Sequence, residues 1–135
     1  MERHEELVRG WFAAGDDGDI DEFDRFLDPL IAVHAPLGLS TIGIEAEKET
    51  WRRAKEAMPD LCHHFVEALC VGDTVAARSV VTGTLRGEFA GLVADGVPFE
   101  MAQAVFAHVR GGRIVEAWEI ADTGDLVQQV SSFAR

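Results

Sequence analysis

The sequence has few basic residues, few cysteines and no apolar run long enough to cross a bilayer. It contains 12 lysines and arginines against 24 aspartates and glutamates in 135 residues, so its formal net charge is −12. Such a charge argues against nucleic acid and anionic membranes as partners. No stretch approaches the ~20 apolar residues of a membrane span. The N-terminal MERHEELVRGW is charged and lacks the apolar core of a signal peptide. We therefore expect a cytoplasmic protein.

Several kinds of chemistry lack their usual sequence signatures. There is no glycine-rich phosphate loop, no cysteine or histidine cluster with zinc spacing and no serine nucleophile elbow. Cys62 and Cys70 fall on one predicted strand, where a mutual disulfide is geometrically implausible. His63 and His64 are adjacent on the same strand, so their rings should point to opposite faces and suit a shared metal poorly. The sequence therefore predicts no metal site.

The first part of the chain has the apolar periodicity of helices. This spacing predicts three of them, which are Glu2–Ala14, a short segment capped by Asp19 and Glu45–Met58. On the third helix the apolar residues fall roughly along one face, and the charged residues, including Glu47 and Lys48, are expected elsewhere. A short strand is expected in LIAVHAP, between the second and third helices.

After Pro59 the period changes from that of a helix to that of a strand. Four long runs are predicted as strands, which are Leu61–Val71, Thr74–Gly87, Val97–Arg110 and Arg113–Ala121. Glycine-containing turns separate them, including GLVADG between the second and third runs, and Gly111–Gly112 is a strong hairpin signal. The order of elements predicts one α+β domain over residues 1–135, with a curved antiparallel sheet wrapped around the N-terminal helices. The 47% of hydrophobic residues can then form a cone with an apolar pocket.

Asp122 is the first candidate for chemistry, since it follows the most apolar predicted strand. A carboxylate at a strand end beside bulky apolar residues would lose water, and its charged form would be disfavoured. Such a group can take up and return protons. The alternative is that Asp122 caps a short helix near Gly124–Val130, as the sequence DTGD also suggests.

Other residues are candidates for a pocket wall or for ordinary core packing. His34 lies beside Pro36 on the short strand, and Gln103 is a polar residue inside an apolar strand. Arg78 could contact a ligand or pair with a sheet neighbour such as Glu67. The large apolar side chains that suit a flat or ringed ligand include Trp11, Trp118 and Phe106. Sequence alone does not separate wall from core.

Taken together, these segments resemble the SnoaL-like polyketide cyclase family, within the superfamily of nuclear transport factor 2-like and ketosteroid isomerase-like domains. The resemblance is carried by the order and spacing of WFAAGDDGDIDEF, VHAPLG, GIEAEKETW, AMPDL, VGDTVAARSVVTGTLRGEF and GGRIVEAWEIADTGDLVQQ. It implies a helix-lined cone, an apolar pocket and a homodimer through the outer sheet face. It also implies that Asp122 is the acid/base and that His34 borders the pocket.

The expected activity is acid/base chemistry on a small apolar, polyketide-like carbonyl compound, by aldol cyclisation or isomerisation. Asp122 would act as base, and His34 or Gln103 would donate a hydrogen bond to the oxyanion. No cofactor is needed for this reaction. Two alternatives remain open: a non-catalytic ligand-binding or dimerising module of the same fold, and an epoxide hydrolase or dehydratase in which Asp122 activates water.

Overall fold

A computed structural model describes residues 3–133 of the chain. Three α-helices, one 3-10 helix and six strands follow one another in the order α1 His4–Asp17, the 3-10 helix Ile20–Arg25, β1 Leu27–His34, β2 Thr41–Ile42, α2 Ile44–Ala57, β3 Cys62–Val71, β4 Thr74–Phe89, β5 Leu92–Arg110, β6 Arg113–Ala121 and α3 Thr123–Phe133. Glu2, the predicted start of the first helix, lies outside the described residues.

The six strands form one curved sheet in the order β2-β1-β6-β5-β4-β3. The long strands β3 to β6 pair antiparallel with their sequence neighbours, as predicted. The short strand β1 pairs parallel to β6, so that His34 lies beside Trp118. β1 thus extends the antiparallel meander beyond its last strand. The predicted α+β fold with a curved sheet is confirmed.

The hairpin turns follow the glycines. Gly111 and Gly112 have φ angles of 59° and 76°, which a residue without Cβ adopts at no steric cost. The predicted loop GLVADG is not the connection between these strands. Instead, β4 continues to Phe89 and β5 begins at Leu92. The turn itself is Ala90–Gly91, and the register shifts between Leu85 and Arg86. The longer hairpin brings Phe89 and Leu92 to the cavity described below.

One face of the sheet, called here the inner face, packs against α1 and α2. Its residues on β4 are Val75, Ala77, Ser79 and Val81, all buried. The opposite, outer face carries the alternate residues, Ala76, Arg78 and Val80, which are exposed or half-buried. This alternation is the period of two that a pleated strand imposes.

The two long helices bury the apolar stripes that their spacing predicts. On α1 the buried residues include Leu7, Val8, Trp11 and Phe12. On α2 the buried face contains Ile44, Trp51 and Ala54, but also Glu47 and Lys48. The expectation that these two charges lie away from the apolar face is therefore wrong. Three or four residues separate neighbours on one helix face, so Glu47 follows Ile44 and precedes Trp51 on the same stripe.

Close packing between α1 and α2 depends on a glycine. A Cβ placed on Gly15 would lie 2.3 Å from Cζ3 of Trp51. The indole ring therefore occupies the space of the missing side chain, and this contact sets where Trp51 lies in the core.

The C-terminal helix α3 packs on β5. Gln129 donates from Nε2 to the carbonyl of Glu100 at 2.7 Å and accepts the backbone N–H of Glu100 at 3.0 Å. Leu126 and Val130 are buried beneath the helix. Among residues 3–133, no helix has both the length and the apolarity needed to cross a membrane.

Candidate functional site

A cavity lies between the helices and the inner face of the sheet. Its volume is about 130 Å³. An apolar cavity of roughly 150 Å³ is large enough to bind benzene, so this one suits a small ring compound. Its apolar wall includes Phe12, Trp51, Leu85, Phe99, Met101 and Leu126. The predicted apolar pocket is therefore present, and its few polar groups define what it can do.

Glu119 is the most perturbed of these polar groups. It lies on the inner face of β6, opposite the fully buried Val105. It is half-buried and lines the cavity. Burial, and then the negative charge of Glu47, raise the pKa of Glu119 to about 8. The Glu119 carboxyl group is therefore mostly protonated at neutral pH, when an ordinary glutamate is ionised.

Glu47 reaches the same cavity from α2. Thr41 Oγ1 donates to its Oε1 at 2.6 Å, and Trp51 Nε1 donates to its Oε2 at 3.0 Å. Burial raises the pKa of Glu47, while these two hydrogen bonds act in the opposite direction. Two close carboxyl groups do not both ionise readily in an apolar cavity. The pair therefore holds a proton at neutral pH, and the two donors favour Glu47 as the ionised member.

Gln103, on the neighbouring strand β5, also lines the cavity and contacts Glu119. Its Nε2 donates to Glu119 Oε1 at 3.5 Å, at the long end of a hydrogen bond. Its own Oε1 is buried and accepts no hydrogen bond from any residue that the structure describes. A buried acceptor without a partner is costly. Gln103 is therefore a cavity-lining side chain whose hydrogen-bonding capacity the protein leaves partly unsatisfied.

Asp122 lies outside the cavity, so the expectation that it faces an apolar pocket is wrong. It is exposed, and its Oδ1 accepts the backbone N–H of Asp125 at 3.1 Å. This places Asp122 as the N-cap of α3, which is the alternative that DTGD suggested. A helix that begins directly after the strand leaves unpaired N–H groups, and these bind the carboxylate.

Four other predicted site residues lie together, but on the outer face of the sheet. His34 Nε2 is 2.7 Å from Glu116 Oε2, and its ring stacks on Trp118 with centroids 5.3 Å apart. Phe106 is the cross-strand partner of Trp118. Arg78 Nε donates to Glu67 Oε1 at 3.0 Å, so the sheet-pairing alternative is confirmed. The expectation that His34, Trp118, Phe106 and Arg78 line the pocket is wrong, because strand alternation points them away from it.

The last two predicted residues are on the inner side. Trp11 is fully buried in the core beneath α1 and does not line the cavity. Gln103 does line it. Of the seven predicted site residues, Gln103 alone lines the cavity.

The sequence reading missed Glu119 and Glu47. Each had a signal in the sequence. On the predicted strand, Glu119 shares a face with the apolar residues Val115, Ala117 and Ala121. Glu47 falls on the apolar stripe of α2. Within the described part of the chain, no group of His, Cys, Asp or Glu residues is arranged to hold a metal ion.

The fold and cavity define a cone-shaped α+β domain of the nuclear transport factor 2-like type. The profile of the SnoaL-like polyketide cyclase family matches residues 5–130, and the chain belongs to this family. Among curated proteins, no sequence matches the chain significantly.

Similar solved structures agree with this assignment. IdmH from Streptomyces antibioticus, proposed to be a polyketide cyclase, is 28% identical, with 96% of this chain and 99% of that chain covered and a TM-score of 0.83. TsrD from Streptomyces laurentii is 24% identical, with 98% of both chains covered and a TM-score of 0.85. A proposed SnoaL-like polyketide cyclase from Jannaschia sp. CCS1 is 20% identical, with 98% of both chains covered and a TM-score of 0.86.

Proposed function

We propose that the chain is a cofactor-free acid/base enzyme that acts on a small apolar, polyketide-like carbonyl compound by aldol cyclisation or isomerisation. The observation that carries this proposal is Glu119, whose pKa is raised to about 8 where it lines an apolar cavity. A carboxyl group with a pKa near the working pH can donate and recover a proton within one turnover.

Glu119 takes the role of proton donor toward the carbonyl oxygen. A neutral carboxylic acid in an apolar site can donate a hydrogen bond to an oxyanion as it develops. This interaction strengthens as the substrate carbonyl becomes an enolate, so it lowers the barrier to removal of the neighbouring C–H proton. The acid/base role expected of Asp122 is thus assigned to a carboxyl group on the inner face.

Gln103 supports the choice of substrate class. Its amide group lines the cavity beside Glu119, where it can hydrogen-bond a polar group of the ligand, such as the hydroxyl of an enol. The rest of the wall is largely apolar. A ring compound that carries a carbonyl and a hydroxyl would satisfy both features.

We include a homodimer in this proposal, formed through the outer face of the sheet. That face exposes Phe106, Ile120 and Leu69, with 40%, 60% and 55% of their surface accessible. Adjacent exposed apolar side chains on a sheet mark an interaction surface. A two-fold pair would place the same patch of both copies in contact.

The test measures proton transfer from carbon. The protein is incubated in D₂O with 3-cyclohexen-1-one or 2-tetralone, and deuterium exchange next to the carbonyl is followed by NMR. With 3-cyclohexen-1-one, formation of the conjugated ketone is followed by its ultraviolet absorption.

We expect exchange above the buffer background, and Glu119→Gln should lower it on the order of 10²–10⁴-fold. Glu116→Gln is the matched control, because Glu116 lies on the same strand but on the outer face, beside His34. A wild-type protein that binds these ketones without exchange on either would leave the binding-module reading as the better account.

A further inference from the structure

The cavity is also lined by a histidine that has no contact with the carboxyl groups of Glu47 and Glu119 among the hydrogen bonds of the described residues. His63, at the start of β3, lines the cavity where this strand packs against α1 and α2. Its Nδ1 is 2.8 Å from Asp16 Oδ1, at the end of α1. The side chains of His63 and Asp16 are only 8% and 12% exposed. A histidine and a carboxylate thus form a nearly buried dyad at the edge of an apolar cavity.

The geometry fixes the imidazole ring. The backbone N–H of His63 donates to Asp16 Oδ2 at 2.7 Å, so the same carboxylate holds both the backbone and the ring. The ring also packs edge-on against Phe12, with centroids 4.8 Å apart, and lies tilted against Trp51, with centroids 5.4 Å apart. An ionised carboxylate only accepts hydrogen bonds, so Nδ1 must carry the proton. Nε2 is then the basic nitrogen.

Nε2 is also the nitrogen that a ligand can reach. No described residue hydrogen-bonds to Nε2. This atom is also not fully buried, so it borders open space. Trp51 connects the dyad to the carboxyl pair, since its ring touches His63 while its Nε1 donates to Glu47. The cavity is therefore lined both by the carboxyl group of Glu119 and by the imidazole of His63.

We propose that His63 is the general base of the proposed reaction and that Asp16 is its positioning residue. This inference rests on the proposed function. His63 Nε2 takes the proton from the carbon next to the substrate carbonyl. The C–H electron pair forms a carbon–carbon double bond, and the carbonyl π electrons move to oxygen, where Glu119 donates its hydrogen bond.

The same proton completes the reaction. In an isomerisation, the imidazolium of His63 returns it to the γ-carbon. In an aldol cyclisation, the enolate carbon attacks a second carbonyl, and the imidazolium protonates the resulting alkoxide. Asp16 stabilises the imidazolium between these steps, as carboxylates do in other histidine dyads.

Asp16→Asn tests the dyad without removing its hydrogen bonds. The single amide oxygen of asparagine would accept the backbone N–H of His63, which leaves the amide NH₂ facing Nδ1. Nδ1 must then accept, so the proton moves to Nε2, and the ring can no longer act as base. The ¹⁵N chemical shifts of the His63 ring report this change of tautomer, which a merely structural role of Asp16 would not require.

The experiment compares four variants with the wild type in the deuterium exchange of 3-cyclohexen-1-one and 2-tetralone. We expect His63→Gln and Asp16→Asn each to lower kcat on the order of 10²–10⁴-fold, with KM little changed. The controls are His64→Gln, on the opposite side of β3, and Asp17→Asn, an exposed neighbour of Asp16. Both should keep wild-type rates.

The outcomes separate the two proposals. If Glu119→Gln loses activity but folded His63→Gln keeps it, the dyad is overturned and the proposed function stands. If His63→Gln is inactive but Asp16→Asn keeps full kcat and the wild-type tautomer, Asp16 is not a positioning residue. If the wild type exchanges neither ketone and forms no conjugated ketone from 3-cyclohexen-1-one, the proposed function fails, and the dyad inference fails with it.

Discussion

The two faces of strand β6 differ in a way that reverses the usual expectation. The inner face carries Ala117 and the carboxyl group of Glu119, while the outer face carries Trp118 and Ile120. In the C-terminal half of β6 the larger apolar side chains thus point away from the cavity, and a carboxyl group points into it. There, hydrophobicity alone would choose the wrong face as the interior.

The difference follows from what each face must contact. The inner face of the sheet packs against two helices, and small residues such as Ala77, Ala107 and Ala117 allow them to approach. The outer face has no helix against it in the described structure, so its aromatic residues suit a second subunit. Glu119 is a polar residue on the inner face, and it lines the cavity. Four experiments can break or sharpen this comparison.

The largest expected effect is on the pH dependence of stability. Burial and Glu47 raise the pKa of Glu119 from 4.5 to about 8 in the folded chain. Between these values the folded chain binds more protons than the unfolded chain. The stabilising contribution is therefore complete below about pH 4.5 and is lost as the pH rises through about 8, with a slope of at most about 1.4 kcal/mol per pH unit.

Urea denaturation at about pH 5.5, 7 and 8.5 measures this slope. Glu119→Gln should flatten it, whereas Glu116→Gln on the outer face should keep the wild-type slope. Equal slopes for both variants would mean that the inner face does not hold a protonated carboxyl group.

The second effect concerns the outer face. Ile120→Glu would place two like charges near each other across a two-fold interface, so we expect dimer affinity to fall on the order of 10²-fold. Analytical ultracentrifugation over a concentration series gives the dissociation constant. Val127→Glu, an exposed position on α3, is the matched control. A wild type that sediments as a monomer would contradict the interface.

The third effect concerns how the helices hold the inner face. Gly15→Ala would force Trp51 to shift, since the added Cβ would lie 2.3 Å from its ring. We expect the free energy of unfolding to fall by about 1–3 kcal/mol. Gly72→Ala is not a suitable control because its φ angle is positive. Ala13→Gly, at an exposed position on the same helix, is better and should cost about 1 kcal/mol or less.

The smallest effect is expected at Asp122. Asparagine caps a helix about as well as aspartate, so Asp122→Asn should change stability by only a few tenths of a kcal/mol, while Asp122→Ala should cost about 0.5–2 kcal/mol. Thermal unfolding measures both. A large loss of ketone exchange in folded Asp122→Asn would return the acid/base role to Asp122.

Local patterns were enough to predict most of the fold. The period of two after Pro59 and the glycine turn at Gly111–Gly112 specify the antiparallel meander, because both act within a few residues. The apolar stripes of α1 and α2 follow in the same way. The extension of β4 to Phe89 was missed. The turn lies at Ala90–Gly91, but the two glycines of GLVADG led us to predict a loop over the whole of that segment.

The sequence by itself determined most of the secondary structure, the alternation along each strand and the resemblance to the family. Only the tertiary structure decided which alternating face of β6 lines the cavity, because both faces are partly apolar and the helices cover one of them. It also decided the site, since Glu119, Glu47 and His63 lie far apart in sequence. Their properties come from burial and mutual approach, which no local pattern encodes.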